Sequence, residues 1–119
     1  MKETKRATGA RYEEIAVCYL QEQGYMIVER NYRCPVGEID IIGRNEGYLC
    51  FIEVKYRKSE KRGDPMEAVN WQKQRKICKI SSYYMMQRKI SDVEPCRFDV
   101  VGITPEVIKL VKDAFSYVY

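Results

Sequence analysis

Two periods of apolar spacing run along this chain. From about Ala10 to Gln23 the period is helical, with Tyr12, Ile15, Ala16, Tyr19 and Leu20 on one stripe. Gly24 follows as a C′ stop. Residues 1–9 are basic and read as a loose lead-in. The spacing then shortens to that of strands: Tyr25–Tyr32, Val36–Gly43 and Tyr48–Tyr56. Asp64-Pro65-Met66-Glu67 is a capping-box pattern with Pro at the first helical position. Asn70 then caps a second helix, Trp71 to about Lys89, buried through Ile77, Ile80, Tyr84 and Met85. Cys96–Ile103 and Val107–Lys112 read as strands separated by a Thr104-Pro105 turn, and the aromatics of Ala114–Tyr119 pack on the sheet. The order is helix, three strands, helix, two strands. It predicts one α/β domain over residues 1–119, a mixed central sheet flanked by helices.

The middle strands carry charges that a buried sheet does not ordinarily hold. They form a hairpin with a turn through Arg44-Asn45-Glu46-Gly47, where Asn45 and Gly47 tolerate positive φ. Alternation puts Glu38, Asp40 and Ile42 on one face and Ile39 and Ile41 on the other. On the second strand Phe51, Glu53 and Lys55 share a face. An even-numbered loop sets Gly43 against Tyr48 and Asp40 against Phe51, making Asp40 and Glu53 diagonal neighbours at roughly 7–8 Å. Two carboxylates so placed reach a common divalent cation. An odd-numbered loop separates the two charge sets. A solvated sheet face with ordinary surface charges is the alternative reading of Glu53 and Lys55. Glu13 flanks the first helical stripe one turn before Ala16 and Val17, where it is also a favourable first-turn acid.

Composition narrows the chemistry. The 119 residues include no histidine, which removes His-based triads and HExxH zinc sites. Hydrolytic chemistry would rest on carboxylates, lysine and a hard metal. The five cysteines are odd in number and never spaced C-x-x-C, which fits reduced thiols in a cytoplasmic protein. No apolar run approaches the ~20 residues of a membrane span, and no secretory signal is visible. The net charge of +4 is mild, but the basic residues cluster. Arg57, Lys58, Lys61 and Arg62 follow the hairpin, and Lys73, Arg75, Lys76 and Lys79 edge the second helix. Such runs are solvated surface or, beside carboxylates, contacts to a phosphate backbone. Trp71 at the helix start reads as core or as a stacking platform.

The order of elements, with Asp40 followed by Glu53-Val54-Lys55, resembles the restriction-endonuclease-like, or PD-(D/E)XK, nuclease superfamily and its αβββαβ core. More closely, the chain resembles the YraN-like bacterial family. That likeness rests on Gly9 with Glu13 and Glu14, Gly24-Tyr25, Arg30-Asn31, Gly37-Glu38-Ile39-Asp40, Phe51 to Lys55, Lys73, and Arg97-Phe98-Asp99-Val100. It departs at Ile39, where the superfamily has its nominal proline, and at Tyr12, where YraN-like chains often have a small residue. The resemblance implies a metal-dependent endonuclease or resolvase-like phosphodiesterase acting on DNA rather than RNA, with a nucleic-acid-binding module of the same fold as the alternative. It further implies Mg²⁺ or Mn²⁺ held by Asp40, Glu53, the Val54 carbonyl and Glu13. Lys55 would orient the attacking water, Arg57, Lys58, Lys61, Arg62, Lys73 and Lys76 would lie along the nucleic acid, and the protein could pair as a homodimer.

Overall fold

The computed structural model describes residues 4–58 and 69–117. Helix α1 spans Lys5–Glu22, strand β1 Met26–Cys34, β2 Gly37–Asn45, β3 Tyr48–Tyr56, helix α2 Trp71–Gln87, β4 Cys96–Ile103 and β5 Ile108–Phe115. The expected capping box at 64–67 and the cations Lys61 and Arg62 lie outside the described residues. The strands lie in chain order, β1-β2-β3-β4-β5. β3 and β4 are parallel, and α2 is the crossover between them; all other neighbours are antiparallel. This is the mixed α/β architecture that the order of apolar periods predicts.

The sheet divides two cores. On one face Ala16, Val17 and Leu20 of α1 pack with Tyr25, Ile41, Cys50, Ile52, Val101 and Ile103. On the other, Ile77, Cys78, Ile80 and Tyr84 of α2 pack with Tyr32, Ile39, Ile42, Phe51, Phe98 and Val100. The β4 run reads RFDVVGI and is buried throughout, because helices cover both sides of it. The aromatic tail also packs as expected: Phe115 stacks on Phe98 with ring centroids 4.9 Å apart.

Helix α1 begins at Lys5, not near Ala10, so part of the expected loose lead-in is helical. Thr4 supplies the opening carbonyl, accepting from the Thr8 amide at 3.0 Å, and Thr is a favoured N-cap residue. The helix closes in a Schellman motif around Gly24 at φ +92°. There the Gly24 amide donates to the Gln21 carbonyl and the Tyr25 amide to the Leu20 carbonyl. The buried stripe is rotated from the expected one: Ile15 is exposed, whereas Ala16, Val17 and Leu20 are buried. Glu13 stands at i−3 and i−4 to Ala16 and Val17, so the rotation turns it toward the sheet.

Two departures from the expected hairpin matter more. The turn is a two-residue Glu46-Gly47 loop with φ of +54° and +83°, the primed geometry that suits a twisted ribbon. The loop is even-numbered, as the shared-site argument requires, but Gly43 faces Cys50 rather than Tyr48. The register is therefore two residues from the expected one. Asn45 is not a turn residue; it is buried in β2. Alternation also fails midway along β2, because Ile39 joins the α2 core and Ile41 the α1 core. The break lies at Asp40, beside Asn31 of β1, which has φ +54°. A left-handed residue in a strand turns successive side chains out of strict alternation.

Candidate active site

The β2–β3 ladder runs from Asn45↔Tyr48 to Ile41↔Ile52. Asp40 and Glu53 lie one residue beyond the last pair of that ladder, close enough for the Glu53 charge to act on Asp40. Here a side chain takes over from the ladder: Asp40 Oδ2 accepts the Val54 amide at 2.8 Å. The Asp40 carboxylate thus lies between the strands, fixed by the backbone of the residue that follows Glu53.

Glu53 is buried, with 9% of its side chain exposed, and is neutralised by two ammonium groups. Lys55 Nζ is 3.3 Å and Lys73 Nζ 3.5 Å from Glu53 Oε1. Lys55 comes from the same strand two residues on. Lys73 comes from the first turn of α2, whose start is set by Asn70 accepting the Lys73 amide at 2.9 Å. Asp40 differs. Among the described residues no lysine or arginine pairs with it. Burial, then the charge of Glu53, push its pKa up to about 7 against the opposing Val54 hydrogen bond, with smaller contributions from Glu13 and Glu38.

Glu13 approaches the same strand end from α1. Its Oε1 accepts from Asn31 Nδ2 at 2.8 Å and lies 3.5 Å from Arg30 Nε, while Arg30 also holds Glu14 at 2.8 Å. Glu13 and Asp40 line one small cavity of about 180 Å³ with Gly9, Tyr12, Val54 and Tyr56. Tyr12 and Tyr56 stack there with centroids 3.8 Å apart. The quartet Glu13, Asp40, Glu53 and Lys55 therefore converges on one end of the β2–β3 pair. Among the described residues Glu13 and Glu53 have cationic partners and Asp40 does not.

The donors suit a hard cation, being carboxylate oxygens with a peptide beside them. Among the described residues no group of three or more His, Cys, Asp or Glu side chains is placed to hold a metal. The arrangement fits the Mg²⁺ habit of binding through one or two carboxylates, with water and phosphate oxygens completing the shell. Asp40 and Glu53 would be those ligands. Glu13 as a further ligand requires release from Arg30 and Asn31.

The basic residues divide. Arg57 and Lys58 follow β3, with the Arg57 amide bonded to the Ile103 carbonyl at 2.9 Å. Lys73 faces Glu53. Lys76 lies over Gly37, where a Cβ would sit 2.7 Å from Lys76 Cε.

A second buried charge cluster, to which the sequence reading assigns no role, lies toward the turn end of the hairpin. Arg97 Nε and Nη2 each donate at 2.9 Å to the two oxygens of Asp99. Nη2 also reaches Asn45 Oδ1 at 2.7 Å and Tyr25 Oη at 3.0 Å. Tyr25 donates to Asp99 at 2.6 Å, and the Asp113 amide does so at 2.9 Å. Among the described residues no buried side-chain nitrogen or oxygen lacks a hydrogen bond. The signal in the sequence was a pair of opposite charges at i and i+2 inside an apolar strand, which demands mutual satisfaction.

No helix among the described residues is long and apolar enough to cross a membrane. The sequence profile of the uncharacterised protein family UPF0102 matches residues 12–103, which include Glu13, Asp40, Glu53, Lys55 and Lys73. A UPF0102 protein of Lachnoclostridium phytofermentans is 50% identical over 112 residues, covering 94% of this chain and 95% of its own. Those of Clostridium kluyveri and Syntrophus aciditrophicus are 46% and 47% identical, covering 91% and 94% of this chain and 93% and 91% of theirs. The chain belongs to the UPF0102, or YraN-like, family.

Proposed function

We propose that this protein is a metal-dependent phosphodiesterase that cleaves DNA. The observation that carries the reading is Asp40: a half-buried carboxylate near Glu53 at the end of a ladder, with no cation of its own among the described residues. Two acids so placed repel each other and repel phosphate unless a cation joins them. Mg²⁺ or Mn²⁺ held by Asp40 and Glu53 would offset the negative charge that builds on the phosphoryl oxygens.

The chain's own groups perform the remaining tasks. Lys55, 3.3 Å from Glu53, is placed to orient the attacking water or a phosphoryl oxygen. Lys73 meets the same Glu53 oxygen as Lys55 and so links the start of α2 to the site. Arg57, Lys58 and Lys76 supply cations along the flanks, and Glu13 supports a second position at the cavity rim. Water adds to phosphorus as the phosphorus–oxygen bond to the leaving sugar breaks, and the proton that the water loses passes through solvent to that oxygen.

The ion pairs of Glu13 and Glu53 favour a second reading, a nucleic-acid-binding module without turnover, since cations already compensate both acids. One experiment separates the two. Purified protein is incubated with single-stranded, duplex, flapped and four-way DNA and with RNA, in Mg²⁺, Mn²⁺ or EDTA. Cleavage that requires metal and is lost in Asp40→Asn supports the phosphodiesterase. Binding in EDTA with no cleavage in either metal supports the module.

A further inference from the structure

The outer face of α2 carries an aromatic ring among cations. Trp71, the one tryptophan of the chain, is the first residue of the helix and is 56% exposed. Arg75, one turn on, sits with its guanidinium carbon 5.5 Å from the ring centroid. A concavity of about 360 Å³ lies beside them, lined by Val36, Trp71, Gln72, Arg75, Lys76 and Lys79. Three of its six residues are cations and none is an acid.

This arrangement works against the helix that bears it. α2 has no acid in its first turn, where the dipole favours one, and all four of its cations lie in its N-terminal half. Lys73 and Lys76, Lys76 and Lys79, and Arg75 and Lys79 are like-charge neighbours at i+3 or i+4, each pair mildly destabilising. An exposed indole adds apolar surface that water disfavours. Anions delivered beside a flat apolar group compensate both costs. A nucleic-acid strand with an unstacked base does this: the base covers the indole and its phosphates meet the ammonium and guanidinium groups. A stacked guanidinium keeps its N–H donors available for phosphate.

We infer that Trp71 is a stacking platform for an unpaired base, with Arg75, Lys76 and Lys79 holding the flanking phosphates. The inference rests on the nucleic-acid reading above and sharpens it. The substrate has a single-stranded element, held on the same helix whose Lys73 reaches Glu53 at 3.5 Å. A fully stacked duplex offers the indole no base face.

Because Trp71 is the sole tryptophan, its emission reports this surface directly. The wild-type protein in EDTA is titrated with an oligothymidylate, an oligouridylate of equal length and a blunt duplex. Saturable quenching by the single strands, and little by the duplex at equal occupancy, is expected. The oligouridylate arm tells whether RNA serves as well as DNA. By anisotropy of labelled strands, Trp71→Ala should weaken single-strand binding by roughly 5–150-fold and duplex binding by less than about 3-fold, with Trp71→Phe retaining most affinity. Arg75→Gln with Lys76→Gln and Lys79→Gln should weaken both ligands and flatten the salt dependence, without lowering the melting midpoint. Equal quenching by duplex, absence of quenching on single-strand binding, or no nucleic-acid binding overturns the platform. Metal-dependent cleavage, assayed separately on the same protein, shows whether the phosphodiesterase reading survives that outcome.

Discussion

Charged side chains are buried at both ends of the β2–β3 hairpin, and the two ends treat them differently. At the turn end Arg97 and Asp99 meet side-on, and Tyr25, Asn45 and the Asp113 amide take up the remaining donors and acceptors. Five residues along β2, at roughly 3.3 Å per residue, Asp40 lies near Glu53 with the Val54 amide as its one hydrogen-bond donor among the described residues. The first cluster balances its charge and hydrogen bonds internally, and its neighbours register the burial. The Cys50 thiol beside it is pushed up to about 12, mostly by desolvation, with the Asp99 charge adding to it. Among the described residues the second cluster leaves one carboxylate without a cation. A charge that the fold satisfies serves the fold, whereas one that it leaves in deficit awaits a ligand.

Substitutions at the two ends should therefore separate rate from stability. Lys55→Ala is expected to slow metal-dependent cleavage by on the order of 10²–10⁴-fold while DNA affinity stays within a few-fold. Single-turnover rates set beside affinities check this, and an unchanged rate removes Lys55 from the chemistry. Arg97→Ala should do the reverse. Leaving Asp99 buried and unpaired costs about 3–5 kcal/mol of stability, visible as a lower urea midpoint, with little effect on the rate per folded molecule. If Arg97→Ala were benign and Lys55→Ala unfolded the protein, the roles of the two ends would be exchanged.

Metal should stabilise one end only. At a hundredfold excess over Kd, Mn²⁺ or Mg²⁺ is expected to add about 2.7 kcal/mol, a rise of several degrees in melting midpoint. Asp40→Asn should lose most of this gain, while Asn45→Ala, at the other end, should lose none of it relative to its own metal-free value. A wild type that ignores both metals would leave Asp40 as a carboxylate with a cost and no compensating ligand.

The pH dependence has a definite sign. In the folded protein Asp40 holds its proton up to about pH 7, whereas in the unfolded chain it releases it near its ordinary value of about 3.9. Between these values the folded state binds more protons, so this contribution to stability falls as pH rises from about 4 to about 7. Its size is on the order of 2 kcal/mol once the shift is discounted for the solvent that reaches half-buried Asp40. Urea unfolding in EDTA at pH 5 and pH 8 should show Asp40→Asn gaining on the wild type at the higher pH. A constant difference between the two proteins would remove the repulsion. The smallest effect concerns the flank: neutralising Arg57, Lys58, Lys61 and Arg62 together should flatten the slope of log K against log salt on duplex DNA by about 0.9 per lost phosphate contact.

Short-range chemistry made much of this legible in the sequence. The Gly24 stop, the Asn70 cap, the strand Cys96–Ile103 and the helix–strand order all follow from periodicity and capping within a few residues. Asp40 and Glu53, with Lys55 beside them, also stood out, because charges in apolar strands ask for a reason; Glu13 joined them through the family resemblance. Tertiary structure decided the rest. The Glu46-Gly47 turn slid the register by two residues and set Ile42 rather than Asp40 against Phe51, since turn geometry and strand twist choose between loop lengths that alternation alone does not distinguish. The left-handed Asn31 and the break beside it sent Ile39 and Ile41 to different cores. Asn45, read locally as a turn residue, became an acceptor for Arg97 across three strands. Local propensity is a property of a few neighbouring residues. Which buried charge finds a partner depends on strands 50 or more residues apart in the chain, as with Arg97 and Asn45, and only folding brings them together.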